Sequence, residues 1–508
     1  MTTTPNPAAA PAPRPAPHPA PVPIRPPGPD PVRRPGPDPV PQAGPDPGAV
    51  VAAAARRRWT VLAVCALSMF LVGVDTTIVN VALPAIGRGL GTDTRGLEWA
   101  VDAYTVVLAG LLIASGALAD RFGRRRVFRL GLVLFGASSL ACAFAPSLGF
   151  LIAARAVQGA GASMLSPVAL AIVVSAMPDP RERARAIGIW ASVFGLSMAA
   201  GPVAGGALIG AFGWRSVFWI NAPVVAAALV LVALFVPESR GQRARPIDLP
   251  GQVLLILALC ASVGVLIEAP RLGWTSPWVL AGCAGAVASA AGFAAVERRR
   301  AEPLMDLALF RRPPFAAAVL GAAAVFTALT ATLLLGTFHL QHGLGRTPLA
   351  AGLATLPMAL GATVCAPWAG RMAGRSGPRL PLLLAGAFTA AGGLCGAVVG
   401  PGAGTGVLPL LAANLLAGIG FGFANAPLTN TAVGGLPPSR AGVAGAITST
   451  ARQVGSAVGI AVAGGLVADA APAALAGASR PGWLLVAGCG LVLLLAARAS
   501  RAAAAPGA

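Results

Sequence analysis

The sequence predicts an all-α polytopic membrane protein of fourteen spans, arranged as two six-helix bundles with two further helices inserted between them. Of the 508 residues, 56% are apolar and 11% charged, with a mean hydropathy of +0.76. Such a chain is too apolar for a water-soluble core and too long for a single anchor. Beyond Arg56-Arg-Arg58, apolar runs of about twenty residues, one crossing each, recur to the end. The loop Gly116-Ala-Leu-Ala-Asp-Arg-Phe-Gly-Arg-Arg-Arg126 returns 254 positions later as Gly370-Arg-Met-Ala-Gly-Arg-Ser-Gly-Pro-Arg379. Glycine, alanine, arginine, glycine and arginine keep their offsets (Gly116/Gly370, Ala119/Ala373, Arg121/Arg375, Gly123/Gly377, Arg125/Arg379). A loop repeated between hydrophobic spans is the trace of a duplicated half.

Residues 1–55 form a Pro/Ala-rich tail. Nineteen of the 47 prolines fall in 1–50, with Gly-Pro-Asp-Pro at 28–31, 36–39 and 44–47. That composition cannot bury enough apolar surface to fold, so the tail is expected to be disordered. It lacks the apolar centre of a signal peptide. The first bundle is expected over 56–240, with spans centred near 71, 109, 136, 163, 199 and 227. Spans near 258 and 286, within 241–300, are the insertion. The repeated loop follows span two and span ten, so the second bundle occupies 301–500, with spans near 326, 359, 389, 415, 455 and 490. Residues 501–508 are a short closing tail. Reading the spans as alternating puts 25 arginines in inner loops and six in outer ones, which places both termini in the cytoplasm. Trp99, Trp214, Trp219, Trp274, Trp278 and Trp483 fall near outer ends, as an aromatic belt would.

A formal charge of +20 would suit nucleic acid in a soluble protein. Here the arginines sit between apolar runs, where they set orientation, and nucleic acid is not an expected partner. All 37 basic residues are arginine, the coding bias of a GC-rich bacterial genome. The seven cysteines form no CxxC pair, so neither a disulfide framework nor a metal site is implied. No nucleotide loop or nucleophile–base constellation points to an enzyme, and no cofactor is expected.

Charges within the hydrocarbon layer are functional candidates. Asp75 falls in span one and Arg155 in span four, each about 10 Å from the outer surface. They can meet, either as a proton-exchanging carboxylate with its arginine or as a static pair fastening two helices. Asp102 shares the outer end of span two with Glu98, Trp99 and Tyr104, a cluster suited to an organic cation. His339 and His342 lie near the outer rim of span nine. Arg452 with Gln453, in span thirteen, either ties helices together or coordinates a substrate. Asp120 lies at the inner end of span two. Span five, Gly195–Gly206, carries small residues and Pro202, which favour close helix contact and a bend where the halves rock. Gly455 and Gly459 hold the corresponding place in span thirteen.

With these segments in view, the chain resembles the major facilitator superfamily, and within it the fourteen-span drug:proton antiporters of bacteria, over about 58–500. The loop at 116–126 matches the superfamily's signature, which implies that Asp120, Arg121, Arg124 and Arg125 form contacts that lock and release an inner gate. Val74-Asp-Thr-Thr-Ile-Val-Asn-Val-Ala-Leu-Pro84 is similar to the family's span-one motif, placing Asp75 and Asn80 in the translocation site. Arg155-Ala-Val-Gln-Gly-Ala-Gly161 is similar to the motif whose arginine is tied to proton transfer, and brings Gln158 with it. The segment around Gly201 and Pro202 resembles the antiporter motif. Trp214-Arg-Ser-Val-Phe-Trp-Ile-Asn-Ala-Pro223 and Leu344-Gly-Arg-Thr-Pro-Leu-Ala-Ala-Gly352 are also family-like. In two places the chain departs from the pattern. Span ten has no acid, where some relatives place one for divalent organic cations, and Asp102 stands where a neutral residue is common.

The resemblance implies an antiporter of the bacterial inner membrane that exports a lipophilic, cationic or neutral drug for protons by alternating access. Asp75, Arg155 and Asp102 would couple the proton. Asp75, Asn80, Asp102, Tyr104 and Gln158 would line the substrate site, with the monomer as the working unit in the bilayer. The alternatives are a dedicated exporter of one endogenous metabolite and a non-transporting scaffold or sensor.

Overall fold

The computed structural model describes residues 47–500 other than 178, 241–247, 301–302, 399–406, 435, 437, 468–469 and 472–473. The expected tails, 501–508 and all of 1–55 but its last nine residues, lie outside the described residues. The chain divides into a short unit, Met1–Ala52, and a compact one, Ala53–Ala508. The described residues are helical and contain no strand. Inner and outer ends are named here from the arginine distribution.

The first half comprises α1 (Pro47–Leu90), α2 (Thr94–Phe122), α3 (Arg124–Ala143), α4 (Leu148–Ser163) continued by α5 (Ser166–Ala176), α6 (Pro180–Phe212), and α7 (Ser216–Trp219) continued by α8 (Asn221–Phe235). Two helices follow, α9 (Leu249–Leu272) and α10 (Pro277–Arg299). The second half comprises α11 (Pro313–Phe338), α12 (Pro348–Leu353) continued by α13 (Leu356–Ser376), α14 (Arg379–Ala397), α15 (Leu408–Val433), α16 (Pro438–Val467) and α17 (Leu475–Ala499). Helix starts follow local chemistry. Asp93, Ser147, Asp179, Asp248 and Thr347 each accept a hydrogen bond from a backbone N–H of the turn they cap.

Thirteen of these stretches are long and apolar enough to cross a membrane. The remaining one, α16, is 30 residues long, with Arg452 and Gln453 midway along it. Helix α1 runs on through Pro84 to Leu90, because membrane helices tolerate an internal proline. Asp75 therefore lies about 22 Å from the end of its helix, deeper than its apolar run suggested. The aromatic belt is only partial. Trp219, Trp274 and Trp278 are exposed, whereas Trp214 and Trp483 are buried.

The repeated loop is a repeated structure. Gly123 ends α2 and Gly377 ends α13, with φ of 107° and 81°, a region that excludes most side chains. The two halves meet through α2 against α16 and through α6 against α12 and α13. Helix α9 packs on both α2 and α16, and α10 packs on α9. The apolar stretch of α10 is only 11% buried, against 89% for that of α11, so α10 offers most of its surface to lipid.

At the outer ends the seam is tight. A Cβ at Gly352 would strike the backbone of Pro202, and one at Gly206 would strike Leu349. Gln341, in the π-helical turn His339–Gly343 after α11, donates to the carbonyl of Val81. Within each half, the fifth helix is clamped to the first in the same way. Gly201 and Gly205 of α6 lie against Thr77 and Ile78 of α1, and Gly455 and Gly459 of α16 lie against Ala323, Thr327 and Thr330 of α11. Threonines bridge both contacts, Thr77 to the carbonyl of Ser197 at 3.4 Å and Thr327 to that of Gly455 at 2.9 Å.

Candidate functional site

Asp75 and Arg155, 80 positions apart, meet. Arg155 Nη1 lies 2.8 Å from Asp75 Oδ2, with the two side chains 1% and 0% exposed. The other carboxylate oxygen accepts from Gln158 Nε2 at 2.9 Å and from Asn221 Nδ2 at 3.1 Å. Gln158, one turn after Arg155 on α4, accepts from the same Arg155 Nη1 at 2.8 Å. Arg155 Nε donates to the carbonyl of Ala100 on α2, and its guanidinium lies 4.2 Å from the Tyr104 ring centre. Asn221 also donates to Ser139 of α3, whose hydroxyl donates to the carbonyl of Phe218. Helices α1, α2, α3, α4 and α8 thus converge on one carboxylate.

An intramembrane ion pair is stable only when its remaining donors and acceptors are satisfied. Here three donors face Asp75, and a carbonyl and an aromatic face complete Arg155. The arrangement suits an ionised carboxylate.

The expected outer cluster separates. Tyr104 lies on the Arg155 side of α2, while Asp102, two residues earlier, points to the opposite face of the helix. Asp102 is fully buried and neither of its carboxyl oxygens has a hydrogen-bond partner. Glu98, one turn away, abuts Gly464 of α16, and Trp99 donates from Nε1 to Glu268 of α9 at 3.1 Å. With Glu98 and Asp102 1% and 0% exposed, no open acidic face is left for an organic cation. Asn80 is buried on α1, its amide donating to the Thr76 carbonyl and its Oδ1 without a partner.

At the inner end of α2, Arg124 donates to Asp120 through Nε and Nη2, at 3.1 and 3.0 Å, and through Nη1 to the carbonyl of Ala171 on α5. Arg125 reaches the carbonyl of Ala233 at 2.7 Å, and its backbone N–H donates to Glu238. Arg126 lies 3.7 Å from Glu238, and Arg121 stacks on Phe122. In the second copy, Arg371, Arg375 and Arg379 are exposed and make no ion pair among the described residues. Gly201 and Pro202 sit where α6 touches both α1 and α12.

Asn221, Ser139, Glu238 and Glu268 were not singled out from the sequence. For Asn221 a signal existed: an amide opening an apolar run within the family-like segment 214–223.

A profile of the Major Facilitator Superfamily matches residues 65–460. The chain is 38% identical over 413 residues to multidrug resistance protein Stp of Mycobacterium tuberculosis, covering 79% of this chain and 74% of that one. It is 38% identical to the methylenomycin A resistance protein of Streptomyces coelicolor, covering 77% and 82%. To the tetracenomycin C resistance and export protein of Streptomyces glaucescens it is 36% identical, covering 81% and 76%. Among solved structures, the peptide transporter POT shares the fold with a TM-score of 0.63 at 18% identity, over 87% of this chain and 95% of that one.

Proposed function

Because the chain belongs to the Major Facilitator Superfamily, we propose that this multi-pass membrane protein is a proton-driven exporter of lipophilic drugs, working by alternating access in a bacterial cytoplasmic membrane. Support for export comes from relatives named for multidrug and antibiotic resistance. Support for proton coupling comes from one observation above all, a fully buried intramembrane aspartate whose three donors come from two other helices of its own half, α4 and α8.

In the conformation closed at its outer seam, Asp75 is ionised and locked by Arg155, Gln158 and Asn221. With the outer seam open, a proton from outside neutralises Asp75, weakens its hold on Arg155 and frees α1 and α4. Return to the inner side releases the proton and admits drug. Asp102, buried without a partner, is a second proton carrier, and the free Oδ1 of Asn80 together with Tyr104 and Gln158 orients the drug. The Asp120–Arg124 pair, with Arg121 and Arg125 beside it, steadies the inner gate, and Gly201 and Pro202 give the seam its close contact. The proton gradient is the energy source and no cofactor takes part. The monomer suffices, and both termini lie in the cytoplasm. A neutral drug leaving for one proton also draws on the membrane potential, about 2.3 kcal/mol per 100 mV.

Everted vesicles under an imposed pH gradient test the central claim. Asp75→Asn should abolish gradient-driven drug uptake at equal expression, and uptake as fast as wild type would sink the role of Asp75. A dedicated exporter of one metabolite is the second reading, favoured by the relatives named for single antibiotics. A resistance panel in a pump-deficient host separates the two: protection against several unrelated compounds supports the broad exporter, and protection against one supports the dedicated exporter.

A further inference from the structure

Besides Arg155, the arginine that lies within a span is Arg452, halfway along α16. Its surroundings differ. Nη2 donates to the hydroxyl of Thr429 on α15, and the guanidinium lies 5.9 Å from the ring centre of Phe326 on α11. Phe326 meets Phe421 of α15 edge to face at 5.3 Å, and Met198 of α6, from the other half, packs into the same apolar cluster. No carboxylate pairs with Arg452 among the described residues. The spans α11 to α17 contain no acidic residue to supply one. In the first half, Asp75 is already taken by Arg155, and Glu98 and Asp102 lie buried toward the outer ends of α2 and α16.

A guanidinium does not lose its charge in a protein, and a mid-membrane cation without a counter-charge is costly. Arg452 is nevertheless only partly buried, held on the inner face of its bundle by α11 and α15 rather than turned to lipid. A planar fork beside the Phe326 ring, which Phe421 backs edge to face, matches a carboxylate or ionised phenol carried on an aromatic body.

We propose that Arg452 is the receptor for an acidic group on the exported molecule, with Phe326 and Phe421 packing the ring that bears it. This rests on the export reading and names its substrate class as lipophilic aromatic acids. The sequence-based expectation was a cationic or neutral drug.

The test uses a matched pair of probes, a xanthene dye with a free carboxylate and the methyl ester of the same dye. Binding to the full chain in lipid nanodiscs is read by fluorescence anisotropy. Wild type should bind the acid about ten- to a hundredfold more tightly than the ester, the range that a hydrogen bond to a charged group supplies. Arg452→Gln should make the two equal, and Arg452→Lys, which keeps the charge but not the fork, should retain part of the preference. Equal binding by wild type, a preference that survives Arg452→Gln, or no binding of either dye overturns the proposal. Should Arg452→Gln not fold, the wild-type preference and Arg452→Lys still decide. A chain that protects cells from drugs but shows no acid preference defeats this proposal alone. An Arg452-dependent acid preference in a chain that protects against nothing defeats the export reading alone.

Discussion

In the first half, the intramembrane arginine is neutralised by an aspartate, joined by a glutamine and covered by a tyrosine ring. In the second half, the intramembrane arginine has a hydroxyl and a phenylalanine face and, among the described residues, no acid. The inner loops differ in the same sense. Asp120 pairs with Arg124 in the first copy, while Gly374 replaces that acid in the second and the arginines around it are exposed. Packing does not follow this divergence. In both halves glycines on the fifth helix press against the first, and threonines bridge the same pair of helices. Duplication has kept the contacts that shape a half and let its charges diverge, one half holding a closed ion pair and the other an open cation.

The sharpest way to break that contrast is to remove each arginine in turn. Arg155→Met strands a buried Asp75 and should cost about 3–5 kcal/mol of stability, whereas Arg452→Met should change stability by no more than about 1 kcal/mol, as read by unfolding in mixed micelles. Adding Asp75→Asn to Arg155→Met should recover much of the loss, since the two residues are in contact. Equal losses at the two arginines would mean that Arg452 has a hidden counter-charge.

The seam comes next. Gly352→Val should lower efflux at least tenfold at equal expression, because a side chain there meets the Pro202 backbone, and overpacking of that kind costs about 1–3 kcal/mol. Gly374→Ala, with nothing within 4 Å of the added carbon, should leave efflux unchanged. The smallest effect concerns the inner loops. Asp120→Asn should slow efflux about fivefold, the value of one hydrogen bond of about 1 kcal/mol, and Arg375→Ala should have less effect. The reverse ranking at matched expression would place the inner latch in the second half.

Much of the fold was legible because each span is a local statement. An apolar run of sufficient length crosses wherever it lies, and capping residues such as Asp93, Asp179 and Asp248 mark where helices begin. The weak points have local causes too. Arg452 and Gln453 dilute the run in α16, and Pro84 hides the true length of α1. The site was less legible. Asp75, Arg155 and Gln158 stand out because charge and amide are rare in apolar runs. Asn221 lies 146 positions from Asp75, and no spacing rule reveals that it completes the carboxylate. Glu238 and Glu268 carry no signal in the sequence, and their contacts follow only from the packing of the chain after α8 against α3 and of α9 against α2.

The sequence by itself determined that the chain crosses the membrane many times, that it is doubled, and where the doubled loop falls. Those properties follow from hydrophobic length and loop chemistry, which neighbouring residues fix. Only the tertiary structure decided which charges meet. Helix rotation turns Tyr104 toward Arg155 and Asp102 away from it, although they are two residues apart. It also decided that Arg155 finds its acid and Arg452, among the described residues, does not, because pairing in a membrane depends on what the other helices bring to the same depth and face.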